Sequence, residues 1–503
     1  MTATRQHIKW FLAAELLAFL LVAVVTCCCM PLAQAARMTI ALAVAYALPC
    51  WFYHRGDHAT PLGHGVLLVA ALWLAAIAIP FVWRCTIGSG ASFTMPQLIG
   101  DANDYYNWAL AQYDGSSVKP KVTFWGYSIL IVALWKVLGV NVIWPVVMNV
   151  MATLFTIVLA GRLAARIDFE RRERVATLAM AFLVLMGFFM SQGAQMLKEP
   201  WVYLAMTLIA YGMMPASPPP APLKVRPPKS PLKRGTYRDA DTLHSPLFRG
   251  GWGGRYALVY ALGCLILAAV RAKYINFLFI GLFLMMVAGL RSPQAPLKGG
   301  VQGASRTMRL SLLFVITLFF WWLGMKMTDH YTIIQQVNNV TGEGGMATLF
   351  APEGVFQRII GDYFQYPVWK KLLYLPATCG VQWVIPFPWM PEGEQASWLG
   401  MAPRLRLGWY VLSGVVLYFY LFRSWRRGWQ WAVWAWFPML CYVGIAYMTA
   451  GTVSRYLLAF QPWWMALSAL TLLTCWRLRP FRLFMLVYLF AFAAILITCF
   501  IIT

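Results

Sequence analysis

Long apolar runs recur along the whole chain and constrain its fold more than any other feature. Each run is about 18 residues or longer, which lets one helix cross roughly 30 Å of hydrocarbon. The chain has 503 residues, of which 61% are hydrophobic and 12% charged, and its mean hydropathy is +0.63. A soluble domain carries about 25% charged residues. The sequence therefore predicts an all-α polytopic membrane protein.

The runs predict about thirteen transmembrane helices. The predicted spans are 10–31, 38–53, 65–83, 143–161, 175–191, 200–214, 256–270, 274–290, 309–325, 407–422, 428–447, 456–475 and 481–501. A further apolar run, 123–138, is left out because an extra crossing would place the basic segment 162–174 outside the cell. We expect residues 123–139 to form a helix in the outer interface.

The charge pattern predicts an orientation. The formal net charge is +24, and most of the 41 Lys and Arg residues flank predicted spans on one side. The positive-inside rule assigns that side to the cytoplasm. We therefore expect a multi-pass inner-membrane protein with its amino terminus inside, in contact with membrane lipids and not with nucleic acid. Arg5 and Lys9 precede the first span, which is typical of a signal anchor.

Composition divides the chain into four predicted parts. Extra transmembrane helices occupy 1–64, and a core with a long outer loop at 84–122 occupies 65–214. The segment 215–255 is basic and rich in Pro and Gly, so we expect a disordered cytoplasmic insertion. The alternative there is a docking tail for anionic lipid or a partner. The remaining helices occupy 256–503, with a second outer loop at 326–406.

Two carboxylates in the first outer loop are the candidate catalytic residues. Asp101 and Asp104 lie close to Tyr105, and in a helix all three would share a face. Either Asp could act as a general base that accepts a proton from an attacking hydroxyl, while the other tunes its pKa or holds a metal. Spacing alone does not separate these roles. The alternative is a solvated loop with helix-capping aspartates.

Charged residues also interrupt apolar runs on the predicted outer side. They are Lys198, Glu199, Arg271, Lys273 and Arg455. Ionisable groups at such depths are costly unless they pair or face a cavity. A cluster of cations suits a phosphate group at the lipid headgroup level. The alternative for each cation alone is that it extends to the interface.

The sequence identifies no cofactor with certainty. His330 is the one histidine expected in an outer loop, where it could bind a metal or the acceptor. The ten cysteines show no CxxC pair and no metal-ligand spacing. Cys85 and Cys379 are expected in outer loops, either as a disulfide or as two free thiols. A divalent metal therefore stays open, and no Walker, GxSxG or HExxH motif is present.

The order of several short motifs resembles the GT-C superfamily of integral-membrane glycosyltransferases, in the branch of protein O-mannosyltransferases and the lipid A aminoarabinose transferase. The first motifs are Asp101, Tyr105, Trp125-Gly126-Tyr127 and Val137-Leu138-Gly139. The later ones are Leu197-Lys198-Glu199-Pro200, Arg271 and Gly451-Thr452-Val453-Ser454-Arg455-Tyr456. Each motif is degenerate, so their order carries the resemblance.

The resemblance implies a GT-C fold and transfer of a sugar from a polyprenyl-phosphate donor to a hydroxyl on a lipid, glycan or protein. It implies that Asp101 is the general base, with Asp104 second. The residues that would bind substrate are Tyr105, Lys198, Glu199, Arg271, Lys273, His330, Arg455 and Tyr456. The sugar, the acceptor, the stereochemical outcome and the oligomeric state stay open.

Three features depart from the family pattern. Ala102 stands where many members have a second acid, Ser128 follows the Gly-Tyr turn in place of Pro, and the insertion 215–255 is foreign. Two other functions therefore stay open: an O-antigen polymerase or ligase, and a transporter of polyprenyl-linked glycans. Full activity after Asp101→Asn would favour the first, and sugar transfer in detergent would exclude the second as the whole function.

Overall fold

The computed structural model describes most of the chain. The described residues are 2–87, 101–115, 125–214, 252–271, 274–291, 301–327, 363, 366–384, 407–425, 429–449 and 454–502. Within these ranges the regular structure is helical and contains no strand. The predicted all-α class is therefore confirmed for this part of the chain.

The structure describes seventeen α-helices, and the first eight are given first. They are α1 (Thr2–Cys29), α2 (Leu32–His54), α3 (Pro61–Ile87), α4 (Asp101–Tyr113), α5 (Trp125–Leu138), α6 (Ile143–Ile167), α7 (Arg172–Leu185) and α8 (Gly187–Gly193). The next four are α9 (Glu199–Met213), α10 (Trp252–Arg271), α11 (Ile275–Arg291) and α12 (Val301–Met327). The last are α13 (Val368–Val384), α14 (Leu407–Phe422), α15 (Trp429–Thr449), a 3₁₀ segment (Ser454–Phe460), α16 (Gln461–Cys475) and α17 (Arg479–Ile502).

Each predicted span overlaps one of these helices. Among the described residues, 7 helices are long and apolar enough to cross a membrane, or up to 8 if a bent pair counts as one span. Several shorter apolar helices accompany them, including Tyr256–Arg271 and Ile275–Val287. The described part of the chain thus has the all-helical, apolar character of a polytopic membrane protein. The predicted interfacial helix is α5, whose 14 residues extend only about 21 Å.

Burial separates central helices from peripheral ones. The apolar windows of α6 and α16 are 78% and 83% buried, whereas those of α1 and α17 are 17% and 11% buried. On the peripheral helices, large apolar side chains such as Leu17 and Phe490 are exposed. Such surfaces suit hydrocarbon and not water. The two ends of the chain therefore lie at the lipid-facing edge of the bundle.

Helices α9 and α10 pack closely because each offers a glycine to the other. A Cβ on Gly212 would meet Cβ of Tyr260 at 2.7 Å, and one on Gly263 would meet the Ala205 carbonyl oxygen at 2.8 Å. Small residues allow such close approach of helices in membranes. The pair is antiparallel, so the first residue of α9, Glu199, lies beside the last residue of α10, Arg271.

The structure corrects two sequence predictions. The predicted span 175–191 is a bent pair, because α7 and α8 meet at an angle of 75°. Cys85 and Cys379 lie inside α3 and α13, where Cys85 is buried, and both are free thiols, so they form no disulfide. A helical segment buries thiols that an open loop would expose.

Candidate functional site

Five of the residues predicted to bind substrate come together at one end of the bundle. We call Tyr105, Lys198, Glu199, Arg271 and Tyr456 the ion-pair cluster. Tyr105 comes from α4, Lys198 and Glu199 from the start of α9, Arg271 from the end of α10, and Tyr456 from the 3₁₀ segment. The fold thus collects residues that lie as many as 351 positions apart in the sequence.

A buried ion pair forms the centre of the cluster. Nη1 of Arg271 lies 3.6 Å from Oε1 of Glu199, and the two side chains are 15% and 2% exposed. Within the described part of the chain, neither carboxylate oxygen of Glu199 has a hydrogen-bond partner. A buried carboxylate is costly unless donors satisfy it. Glu199 therefore retains the capacity to accept a hydrogen bond from a bound hydroxyl.

Two tyrosines hold the Arg271 guanidinium. Its Cζ lies 4.0 Å from the ring centroid of Tyr456 and 5.5 Å from that of Tyr274. The Tyr274 hydroxyl donates to the backbone carbonyl of Tyr456 at 3.4 Å. Cations are attracted to aromatic faces, more strongly where water is excluded. The guanidinium is thus oriented before any ligand arrives.

Lys198 and two more tyrosines form the other half of the cluster. Lys198 is 4% exposed, and its Nζ lies 5.8 Å from the Tyr105 ring centroid. Tyr105 packs edge-to-face on Tyr127 with ring centroids 5.1 Å apart. Both rings are fully buried. Helix α4 is therefore fixed against α5 and the start of α9 by its Tyr105 side chain.

Asn149 of α6 fixes the backbone that carries Lys198. Its amide nitrogen lies 2.5 Å from the Gln195 carbonyl oxygen, 2.7 Å from that of Leu197 and 3.0 Å from the Tyr127 hydroxyl oxygen. Its amide oxygen accepts from Nε1 of Trp201 at 2.9 Å. A buried amide with such partners rigidifies its surroundings. Asn149 therefore supports the site without being exposed to it.

Sequence reasoning did not assign Tyr127, Asn149 or Tyr274 to this site, although Tyr127 belongs to the motif Trp125-Gly126-Tyr127. The available signal was a polar amide within an otherwise apolar span, which is expensive in lipid unless it has partners. Asn149 meets that description. Tyr274, three residues after Arg271, carried no comparable signal, because tyrosines are frequent in this chain.

The structure describes the side chain of Asp104 but only the backbone of Asp101. Asp101 is the first residue of α4, so the predicted helix at this point is confirmed, but its side chain lies outside the described part. Asp104 is exposed, while Tyr105 next to it is buried. The predicted common face for Asp104 and Tyr105 is therefore wrong, because neighbouring helical residues point about 100° apart.

The other predicted site residues fall outside the described part of the chain. These are all of His330 and Lys273, and the side chain of Arg455, whose backbone lies in the 3₁₀ segment. Within the described part, the cluster carries two cationic side chains, Lys198 and Arg271, and one anionic side chain, Glu199. An excess of positive charge in a buried site favours an anionic ligand.

No family model, curated protein or solved structure matches this chain. The resemblance to GT-C enzymes therefore stays a prediction.

Proposed function

We propose that this protein is a GT-C-type membrane glycosyltransferase that moves a sugar from a polyprenyl-phosphate donor to a hydroxyl acceptor. The observation that carries the proposal is the convergence of Tyr105, Lys198, Glu199, Arg271 and Tyr456 from separate elements. All five are among the eight residues that the sequence predicts to bind substrate. The proposal includes about thirteen crossings, with this site at the outer face of the inner membrane.

In the proposed reaction Lys198 and Arg271 neutralise the phosphate of the donor. Arg271 presents a planar fork of N–H donors suited to phosphate oxygens, and Lys198 supplies a compact charge. As the bond from the sugar to the phosphate oxygen breaks, negative charge grows on the leaving phosphate. Cations already oriented by Tyr456 and by the Asn149 network stabilise this charge without reorganising.

Asp101 is the proposed general base. It begins α4, one helical turn before Tyr105, which fixes that helix against the cluster. Its carboxylate would accept the proton of the acceptor hydroxyl as the oxygen attacks the sugar. Glu199, buried without a hydrogen bond from the described residues, would accept one from a sugar or acceptor hydroxyl. The structure gives no ligand set for a metal within the described part of this site.

A transfer assay with purified protein tests the proposal. The assay follows a labelled sugar from a short-chain polyprenyl phosphate to an acceptor lipid in detergent, where no gradient exists. We expect Asp101→Asn to lower the rate by about 100-fold or more, as loss of a general base does. The matched variant Asp104→Asn, at an exposed position, should retain most activity. Full activity of Asp101→Asn would instead favour a polymerase or ligase reaction.

A further inference from the structure

A second polar cluster lies among the three helices that begin the chain. Glu15 comes from α1, Cys50 and His54 from α2, and His64 from the first turn of α3. The Nε2 atom of His54 lies 2.8 Å from Nδ1 of His64, and the Cys50 sulfur lies 3.7 Å from that same nitrogen. Nothing in the proposed transfer reaction uses these residues, and the inference below does not depend on it.

Glu15 determines which nitrogen of His64 carries a proton. Nε2 of His64 lies 2.8 Å from Oε1 of Glu15, and a carboxylate oxygen accepts a hydrogen bond. The Tyr46 hydroxyl donates to the same oxygen at 2.8 Å and so holds the carboxylate in place. Nε2 is therefore the protonated nitrogen. The lone pair of Nδ1 is left directed at His54 and Cys50.

We propose that Cys50, His54 and His64 bind one divalent transition-metal ion of the zinc class. Their ligand atoms all lie within 4.8 Å of one another. Tetrahedral zinc with ordinary bond lengths requires about 3.6 Å between a sulfur and a nitrogen ligand and about 3.3 Å between two nitrogens. The 3.7 Å between the Cys50 sulfur and Nδ1 of His64 already fits. His54, exposed at the end of α2, is the ligand that must move: its nitrogen must lie about 0.5 Å farther from His64 and within about 3.6 Å of the Cys50 sulfur, from which it now lies no more than 4.8 Å.

The arrangement around His64 supports a metal over a simple hydrogen-bonded cluster. Metal-binding histidines usually donate their second N–H to a carboxylate, which orients the ring and raises its basicity. Glu15 occupies that position on His64. Cys50 and His54 are separated by four residues on one helix, so they project from one face. The carboxylate and the three ligands of a carboxylate–histidine–metal unit are thus supplied by three different helices.

Charge balance favours a dication in this buried place. Binding breaks the S–H bond of Cys50, and the thiol proton leaves to solvent as the sulfur bonds the metal. A dication, the Cys50 thiolate and the Glu15 carboxylate then sum to zero net charge. Cys50 and His64 are buried, and neutral sites are far cheaper to bury than charged ones. The three ligands leave the fourth coordination position of the metal open. The metal would enter beside His54, which is the exposed ligand.

This cluster was not evident in the sequence. The cysteines showed no metal-ligand spacing, because one ligand, His64, lies on a different helix from Cys50 and His54. The cluster also lies away from the ion-pair cluster. Arg162, near the end of α6, donates to the carbonyl of Phe52 beside it, whereas Asn149, near the start of α6, supports the other site.

Metal titration of the full-length protein tests the inference. The protein is purified without a histidine tag, stripped with a chelator, and titrated with Co²⁺ and then Zn²⁺. We expect one equivalent of Co²⁺ to give thiolate-to-metal charge-transfer absorption, which Zn²⁺ then abolishes by displacement. Cys50→Ser should abolish the charge-transfer band, and His54→Gln should abolish stoichiometric binding. Glu15→Gln should weaken binding by about 10–100-fold, as loss of an outer carboxylate does.

Two matched variants serve as controls. Cys28→Ser removes an exposed thiol of α1, and His58→Gln removes a buried imidazole outside the cluster; both should bind the metal as the wild type does. The wild-type spectrum needs no variant to fold, so the absence of a band there is sufficient to reject the inference. No absorption with Co²⁺ in the wild type would overturn the inference and leave a hydrogen-bonded cluster. The same holds if Cys28→Ser, and not Cys50→Ser, removed the band.

Discussion

At the scale of single residues, the buried pair of Glu199 and Arg271 governs the candidate site. Removing water from two charges costs several kcal/mol per ion, and their attraction returns this only with good geometry. Here the separation is 3.6 Å and the Glu199 oxygens have no hydrogen bond from the described residues. The pair is therefore poorly compensated in the absence of a ligand. Such an arrangement is expected where binding, and not stability, is served.

A double-mutant cycle on this pair gives the first prediction. Arg271→Gln leaves the Glu199 carboxylate buried without a countercharge. We therefore expect the free energy of unfolding to fall by about 3–5 kcal/mol. Arg271→Gln combined with Glu199→Gln removes both charges and should recover most of that loss. The measurement is denaturant unfolding in detergent. A loss in the double variant equal to the sum of the losses in Arg271→Gln and Glu199→Gln alone would show that the two charges are not coupled.

His58 gives a pH prediction. It lies between α2 and α3, and burial first, then the nearby positive charge of Arg162, lowers its pKa to about 4 from an ordinary 6.5. Between these two values the unfolded chain binds more protons than the folded one, so stability falls as pH drops from about 6.5 to 4. The loss is about 3 kcal/mol when complete. His58→Gln should flatten this part of the stability–pH curve, measured as thermal unfolding in detergent, while Cys28→Ser should leave the slope unchanged.

Only some of these residues could be identified from the sequence. Lys198, Glu199 and Arg271 were evident because charge inside an apolar run is costly and implies a partner. The positions of Tyr274 beside Arg271 and of Tyr127 beside Tyr105 were not evident, because a tyrosine suits both lipid interfaces and buried sites. The predicted shared face of Asp104 and Tyr105 failed because adjacent helical positions diverge.

At the scale of elements, the α9–α10 pair positions the candidate site. The backbones approach closely where Gly212 and Gly263 carry no side chain, and this fixes the register that places Glu199 beside Arg271. Helix α5 is held in the same way, since a Cβ on Gly126 would overlap the Ala269 carbonyl of α10. The relative positions of α4, α5, α9 and α10 therefore depend on a few small residues.

Substitution of Gly263, one of the two glycines between α9 and α10, tests this dependence. Gly263→Ala forces a methyl group against the backbone oxygen of Ala205 at 2.8 Å, and a backbone cannot turn aside as a flexible side chain can. We expect a loss of about 1–3 kcal/mol in unfolding free energy and reduced transfer activity. The matched control is Gly65→Ala, where the added Cβ meets nothing within 4 Å. If Gly263→Ala were as stable as Gly65→Ala, the contact between α9 and α10 would not be tightly packed.

Elements were easier to predict than their arrangement. Every span predicted from an apolar run overlaps a helix, because the length and hydropathy of a run are local properties of the sequence. The bend between α7 and α8 was missed, since no proline marks it; the break lies at Met186, before Gly187. The packing of Gly408 of α14 against the Leu185 carbonyl at this bend involves residues distant in sequence, which no local pattern records.

At the scale of the whole molecule, two polar clusters lie towards opposite ends of α6, within a bundle bounded by the lipid-facing helices α1 and α17. The segment 215–251 connects α9 to α10 at the end of that pair away from Glu199 and Arg271. The packing of α9 against α10 therefore does not depend on the length of this segment. This agrees with the view of the insertion as a linker.

Shortening the insertion tests that view. Replacement of residues 218–249 by a short Gly/Ser linker should leave unfolding within about 0.5 kcal/mol of wild type, as changes away from packed features do. Transfer activity should also persist. The measurements are thermal unfolding and the transfer assay in detergent. Loss of activity with unchanged stability would assign the segment a role in docking lipid or a partner.

The central claim is that the ion-pair cluster binds the phosphate of a polyprenyl donor. Its most direct test is the affinity of purified protein for a short-chain polyprenyl phosphate in detergent, compared between wild type and Lys198→Met. Loss of a charge-assisted contact should weaken binding by about 10–100-fold, since such contacts contribute about 1.5–3 kcal/mol. Lys371→Met, at another buried lysine, is the matched control and should bind as wild type does. Equal affinity of wild type and Lys198→Met would contradict the account.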